Sequence, residues 1–368
     1  MRGTSGWGDF AASTLDCSSG DALLDCLGMR QRWVACFLLA LTIVGAAAYS
    51  AFKLSPWPSV LLIRYEFAKD TAVVSRALEK YQPADVAELR DQRYTAGADA
   101  LLDVFFPSKS GQSGQALPTI VWIHGGAFVY GSKSDVAGYL RILAARGYTT
   151  VGIDYSIAPA VKYPTPVRQA NDALGFLVRN AARFHIDATR LFLAGDSAGA
   201  QIAAQLAAII SDPSYAAAVG ISPSIPRTQL RGIALLCGVY DPSTIKRDGA
   251  YGGFIRTVLW SYFGSKDLTG DPRLAEFAVN RHVTPAFPPA FISVGNADPL
   301  APQSALMAAS IRNQGVAVDS LLFPTDHNPP LAHEYQFHLD QAAALEALER
   351  LNAFFDRLSN RETGKSAR

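Results

Sequence analysis

The chain has 368 residues, 49% hydrophobic and 18% charged, which suffices for one large core or two small ones. Its formal net charge is +1 with no long basic run, so the basic face needed to bind nucleic acid is missing. The four cysteines, Cys17, Cys26, Cys36 and Cys237, form no CxxC pair, so the sequence supports neither a zinc cluster nor a disulfide framework.

Residues 33–52, WVACFLLALTIVGAAAYSAF, are uncharged and mostly apolar, and a helix of about 20 such residues spans a bilayer. Arg30 and Arg32 precede the stretch and Lys53 follows it. Read from Met29, the same stretch has the basic start, apolar centre and small residues (Ala46, Ala48) of an export signal, with Met29 then the start of the protein. Residues 1–52 are therefore expected to form an N-terminal extension for membrane anchoring or export. A buried core helix is the competing reading. The paired arginines place the bulk of the chain outside the cytoplasm.

Residues 53–95 are expected to be a helical region that covers a pocket. The amphipathic run SVLLIRYEFAKDTAVVSRALEKY ends at Pro83. GADALLDVFFPS then alternates like a strand, and KSGQSGQALP reads as a loop. From TIVWI (119–123) onward, short apolar strands alternate with helices. The further strands are YTTVGID, RLFLAG, GIALLC, AFISVG and VDSLLFP, and the last helix is LDQAAALEALERLNAFFDRL. This alternation predicts an α/β fold with a mostly parallel sheet, helices on both faces, over residues 96–360. Residues 238–284, rich in Gly, Tyr and Trp, interrupt it and read as a cap insertion.

In such a sheet, ligands bind outside the carboxyl ends of the strands. Ser197 sits there, in the pentamer Gly195-Asp196-Ser197-Ala198-Gly199 between a strand and a helix. A G-x-S-x-G pentamer arises by chance in roughly one chain of this size in ten, so alone it decides nothing. Asp298 follows AFISVG and His327 follows VDSLLFP, and the order Ser, Asp, His is that of a nucleophile elbow with its partners. Ser197 is then the expected nucleophile, His327 the base and Asp298 its orienting carboxylate. His333 and His338 are rival bases, with His338 better suited to a surface or capping role near the last helix. Asp326 adjoins the base in sequence and is badly placed to orient it, and Asp196 reads as a turn residue. The helix behind Ser197 offers the Ala198 amide to an oxyanion. HGGAF (124–128) offers the amides of Gly125 and Gly126, with His124 holding that loop through its ring.

HGGAF, GDSAG, DPL at 298–300, and DYSIAP with YPTP at 154–166 together resemble the hormone-sensitive-lipase-like branch of the α/β-hydrolases, the bacterial family-IV esterases. The resemblance covers roughly residues 95–358. It implies a sheet of eight strands under a cap, hydrolysis of small-molecule or lipid carboxylic esters through an acyl-enzyme, no metal or cofactor, and Ser197, Asp298 and His327 as the triad. Three departures stand out. Ala127 occupies the place of a third glycine, Ser156 and Ile157 follow the DY pair, and His327 lacks the Gly and aromatic that commonly follow the family's histidine. An amidase, formamidase or peptidase uses the same triad, and a non-catalytic hydrolase fold would show a broken one. Oligomeric state is not set by the sequence.

Overall fold

A computed structural model describes residues 20–245, 248–249 and 251–359, with only the backbone of 20–27. The stretch before Gly20, with Cys17, lies outside the described residues, as do three positions of the 238–284 segment, Lys246, Arg247 and Ala250. The chain divides into two units, residues 1–58 and 59–368.

The first unit holds helix α1 (Gly20–Leu54). Its stretch Gly28–Leu54 is long and apolar enough to cross a membrane. Trp33, Phe37, Leu39 and Ile43 are exposed on it.

The second unit begins within α2 (Trp57–Leu78), followed by β1 (Val86–Arg93), β2 (Leu101–Pro107), α3 (Ser108–Ser113) and β3 (Leu117–Ile123). Next come α4 (Lys133–Ala145), β4 (Thr149–Ile153), α5 (Thr165–Arg179), β5 (Ile186–Asp196), α6 (Ser197–Ser211) and α7 (Pro213–Val219). The chain continues with β6 (Leu230–Leu236), α8 (Gly252–Phe263), α9 (Pro272–Phe277), β7 (Ala290–Val294), α10 (Ala301–Asn313), β8 (Val318–Leu322) and α11 (Ala342–Leu358). The strands form one eight-stranded sheet in the order β1-β2-β4-β3-β5-β6-β7-β8. Only the β1–β2 and β2–β4 pairings are antiparallel. Two expectations fail locally. Residues 86–93 are an edge strand rather than helix, and 108–113 form a short helix rather than a loop. VAELRDQR alternates buried and exposed, and its charges suit an edge that must not pair further.

Side chains alternate across the sheet as strand geometry requires. Val121, Ile123, Leu193 and Ile233 pack on one face with α5 and α6, while Ile120, Trp122, Phe192 and Ala234 pack on the other with α4 and α11. Helix α6 is buried along its whole length from Ser197 to Ile210, which is why its sequence is nearly all alanine and aliphatic. The register aligns Ile123 with Gly195 and Asp196 with Leu236, so the ends of β3, β5 and β6 form one rim.

A buried ion cluster ties β1 and β2 to the start of α4. The Lys133 ammonium lies 2.7 Å from Asp91 and 3.1 Å from Asp103, and the Lys133 amide donates to Asp154 at 2.6 Å. The Asp103 side chain is fully buried and also faces Arg90 at 3.2 Å. Removing one partner of a buried pair leaves an uncompensated charge. Lys133→Met is therefore expected to destabilise the protein by about 3–5 kcal/mol, seen as a lower denaturant midpoint at an unchanged slope.

Candidate active site

Ser197 follows β5 directly and opens α6 with a left-handed φ of 51°. A non-glycine residue there is strained, as at a sharp strand-to-helix elbow. The flanking glycines are required by space. A Cβ on Gly195 would lie 2.5 Å from the Gly199 carbonyl carbon, and one on Gly199 would lie 2.0 Å from the Ile123 oxygen. Helix α6 thus starts hard against the end of β3.

Asp298 sits just past β7, buried, with one carboxylate oxygen accepting from the Leu300 amide at 2.7 Å. Its other oxygen lies 2.7 Å from His333 Nδ1, and His333 Nε2 lies 2.9 Å from Ser197 Oγ. The expected base, His327, is not in this chain of contacts. Its ring stacks on Phe323 at 4.7 Å, and its Nε2 is buried without a hydrogen-bond partner. The reason is how the chain leaves β8. Asn296, past β7, donates to the His327 carbonyl at 3.0 Å and accepts from the Leu331 amide at 2.9 Å. The Ala297 amide also donates to the Leu331 carbonyl, and the bare Gly295 leaves room for that carbonyl, which a Cβ would meet at 2.2 Å. Residues 328–330 are thereby looped out to solvent, and the chain re-enters the rim at 331–335. His338 accepts the Gln341 amide through its carbonyl ahead of α11, in keeping with a capping role, and Asp326 is exposed.

A signal for His333 was present. His333-Glu334-Tyr335 keeps an aromatic two places after the histidine, and Glu334 adopts φ 59°, a conformation that glycine takes freely. Burial works against charging His333, but the Cys237 sulfur, Asp298 and Glu334 outweigh it and hold its pKa well above the ordinary histidine value.

The glycine loop also differs from expectation. The Gly125 amide donates to Asp196 Oδ2 at 2.8 Å, so it is engaged and not available to an oxyanion. Asp196 is more than a turn residue, because its other oxygen accepts the Trp122 indole N–H at 2.6 Å. It also hydrogen-bonds the Glu334 carboxyl, and burial together with that neighbour raises its pKa well above the carboxylate range. Past Gly125 the loop turns tightly. Gly126 (φ 107°), Ala127 (φ 53°) and Phe128 (φ 61°) are all left-handed, and the Val129 and Tyr130 amides donate to the Gly126 carbonyl. His124 holds this loop as expected. It is buried, stacked on Tyr155 at 4.3 Å, and its Nδ1 lies 2.8 Å from the Gly125 carbonyl. Burial pushes its pKa down to about 4, so the ring is neutral and Nδ1 carries the donated proton.

Phe128 at the end of the loop stacks on Tyr262 of α8 at 4.1 Å, and Tyr262 and Phe263 are buried. Helix α2 reaches the same loop. Arg64 donates to the Val129 carbonyl at 2.7 Å and to the Ala158 carbonyl at 3.1 Å, and Phe67 meets Tyr130 and Phe254.

A proton relay of carboxylate, imidazole and hydroxyl, beside a strained glycine loop, has the parts for acyl transfer. A family model described as alpha/beta hydrolase fold matches residues 120–327. A carboxylesterase, NlhH, of Mycobacterium tuberculosis is 29% identical over 286 residues, covering 74% of this chain and 83% of the relative. An acetyl esterase of Salmonella paratyphi B is 26% identical over 239 residues, covering 62% and 69%. The crystal structure of esterase B from Lactobacillus Rhamnosis shares the fold at TM-score 0.70 and 24% identity, over 82% of this chain and 96% of that one.

The loop's tightness is testable. A Cβ at Gly125 would lie 2.3 Å from Asp196 Oδ2 and 2.8 Å from Glu334 Oε1, whereas one at Gly253 meets nothing within 4 Å. Gly125→Ala is expected to cost about 1–3 kcal/mol of stability, and Gly253→Ala within α8 to gain about 0.5–1 kcal/mol, both read from urea melts.

Proposed function

Because the chain belongs to the alpha/beta hydrolase fold family, we propose that it hydrolyses small carboxylic esters, with Ser197 as nucleophile, His333 as general base and Asp298 as the group that orients it. The observation that carries this reading is the unbroken contact from Asp298 through His333 to Ser197, at 2.7 and 2.9 Å. The names of the relatives, an acetyl esterase and a carboxylesterase, support the ester as substrate.

His333 removes the hydroxyl proton as Ser197 Oγ attacks the ester carbonyl. Asp298 on Nδ1 fixes the tautomer that leaves Nε2 free to accept, and it stabilises the imidazolium that forms. The amide of Ala198, at the start of α6, and that of Gly126 receive the oxyanion, with Ala127 next in the loop and Gly125 withdrawn by Asp196. His333 then gives its proton to the leaving alcohol, and water, activated by the same ring, releases the acid. Helix α2 and the 238–284 segment with α8 act as the cap, a reading supported by their joint contacts with the loop at 128–130. Helix α1 serves as a signal or anchor that places the remaining chain outside the cytoplasm, supported by its length, apolarity and flanking arginines.

Ser197→Ala is expected to abolish ester hydrolysis and labelling by a fluorophosphonate. His333→Ala should lower kcat by about 10⁴-fold or more, while His327→Ala stays within a few-fold of the parent. The reverse ranking of the two histidine variants, on p-nitrophenyl acetate, would overturn the assignment. Only neutral His333 accepts the serine proton, so kcat/KM should rise with pH. Because the His333 pKa is raised, the midpoint of that rise should lie above the unperturbed value of about 6.5. A pH profile with its acid limb at or below that value contradicts the geometry.

A further inference from the structure

Among the described residues at the rim, a thiol takes no part in the proposed mechanism. Cys237 follows β6, fully buried, with a left-handed φ of 45° and its amide donating to the Ser293 carbonyl at 2.8 Å. Its backbone is thus tied to β7, and its sulfur faces His333. The Cys237 Sγ, a His333 ring nitrogen and a Glu334 carboxylate oxygen all lie within 4.8 Å of one another. Glu334 Oε1 is 3.7 Å from His333 Nε2. Tetrahedral zinc with bonds of about 2.1 Å to nitrogen and oxygen separates two such ligands by about 3.4 Å, so the pair needs little adjustment.

The surroundings of these atoms also suit a metal. Ligating imidazoles usually donate their second nitrogen to a carboxylate, and His333 Nδ1 already faces Asp298 at 2.7 Å. The Gln336 amide nitrogen points to Cys237 Sγ at 3.9 Å, a donor toward a thiolate. A thiolate with an imidazole selects soft or borderline cations over magnesium and calcium. The His333 and Glu334 side chains are about one third exposed, which leaves the site open on one side.

We propose that Cys237, His333 and Glu334 form an inhibitory site for a soft or borderline divalent cation of the zinc or cadmium class. The cation replaces the thiol proton, which leaves to solvent, and takes the Nε2 lone pair that Ser197 needs. Inhibition rests on His333 being the base, whereas binding does not.

The test uses the full chain with zinc or cadmium chloride. Cadmium should produce a thiolate-to-metal charge-transfer absorption, and zinc should lower the ester rate at least tenfold, reversibly with a chelator. Cys237→Ala, assayed on the alkaline plateau of its own pH profile because the sulfur bears on the His333 pKa, should still hydrolyse the ester, lose that part of the absorption which Cys237 supplies, and need at least tenfold more zinc for half-inhibition. Cys237→Ser, nearly isosteric, should behave alike and guards against a packing defect. Glu334→Gln should weaken the absorption titration about tenfold. An absorption unchanged by both Cys237 variants, or equal zinc sensitivity in parent and variants, overturns the site. A chain with no esterase activity but a Cys237-dependent absorption defeats the catalytic reading alone and leaves the metal site standing.

Discussion

The carboxyl group of Asp196 holds the site together. It occupies the last position of β5, next to Ser197, where a buried carboxylate alone would be expensive. Two donors offset that cost, the Trp122 indole from β3 and the Gly125 amide from the glycine loop, and a third partner, the Glu334 carboxyl beside His333, acts with burial to favour the protonated form. Each partner belongs to a different segment, so one side chain sets the distances between the strand end, the loop and the histidine. Pre-organisation of this kind is what electrostatic stabilisation of an oxyanion needs, because the donors must not have to reorient during the reaction.

Much of the sheet was legible because buried parallel strands are short apolar runs, and TIVWI, GIALLC and AFISVG have no competing reading. β1 escaped because an edge strand carries charge, and VAELRDQR shows the same polar spacing as a helix face. Ser197 and Asp298, expected at the rim from their place after strands, do meet there through a histidine. Which histidine makes that contact was not legible, since the distance along the chain from β8 says nothing about where Asn296 pins the loop. The engagement of the Gly125 amide was hidden for a related reason. The sequence marks glycines that permit close approach, but which amide is already engaged depends on Asp196, which lies 71 residues further on. Cys237, which follows the apolar run of β6, is buried as a core residue would be, yet it lies against the histidine.

Above the rim, the loop at 124–130 is gripped from two sides. Arg64 of α2 takes main-chain carbonyls on it and on the neighbouring 158 position, while Tyr262 of α8 stacks on Phe128. Left-handed Ala127 and Phe128 each carry strain of the order of 1–2 kcal/mol, which isolated loop contacts would not hold. The aromatic cluster of Tyr163, Tyr262, Phe263 and Phe277 behind Phe128 supplies the rigid backing. Helices flanking the loop thereby contribute to its conformation as well as to its cover.

The Asn296 clamp has a bearing on how such proteins diverge. Since both His327 and Leu331 are tied to one side chain, the exposed tip at 328–330 is mechanically insulated from His333. Lengthening a surface loop is cheap, about 0.6 kcal/mol per doubling. Insertions and deletions can accumulate at this tip while the imidazole keeps its place, so homologous bases drift in sequence position without moving in space.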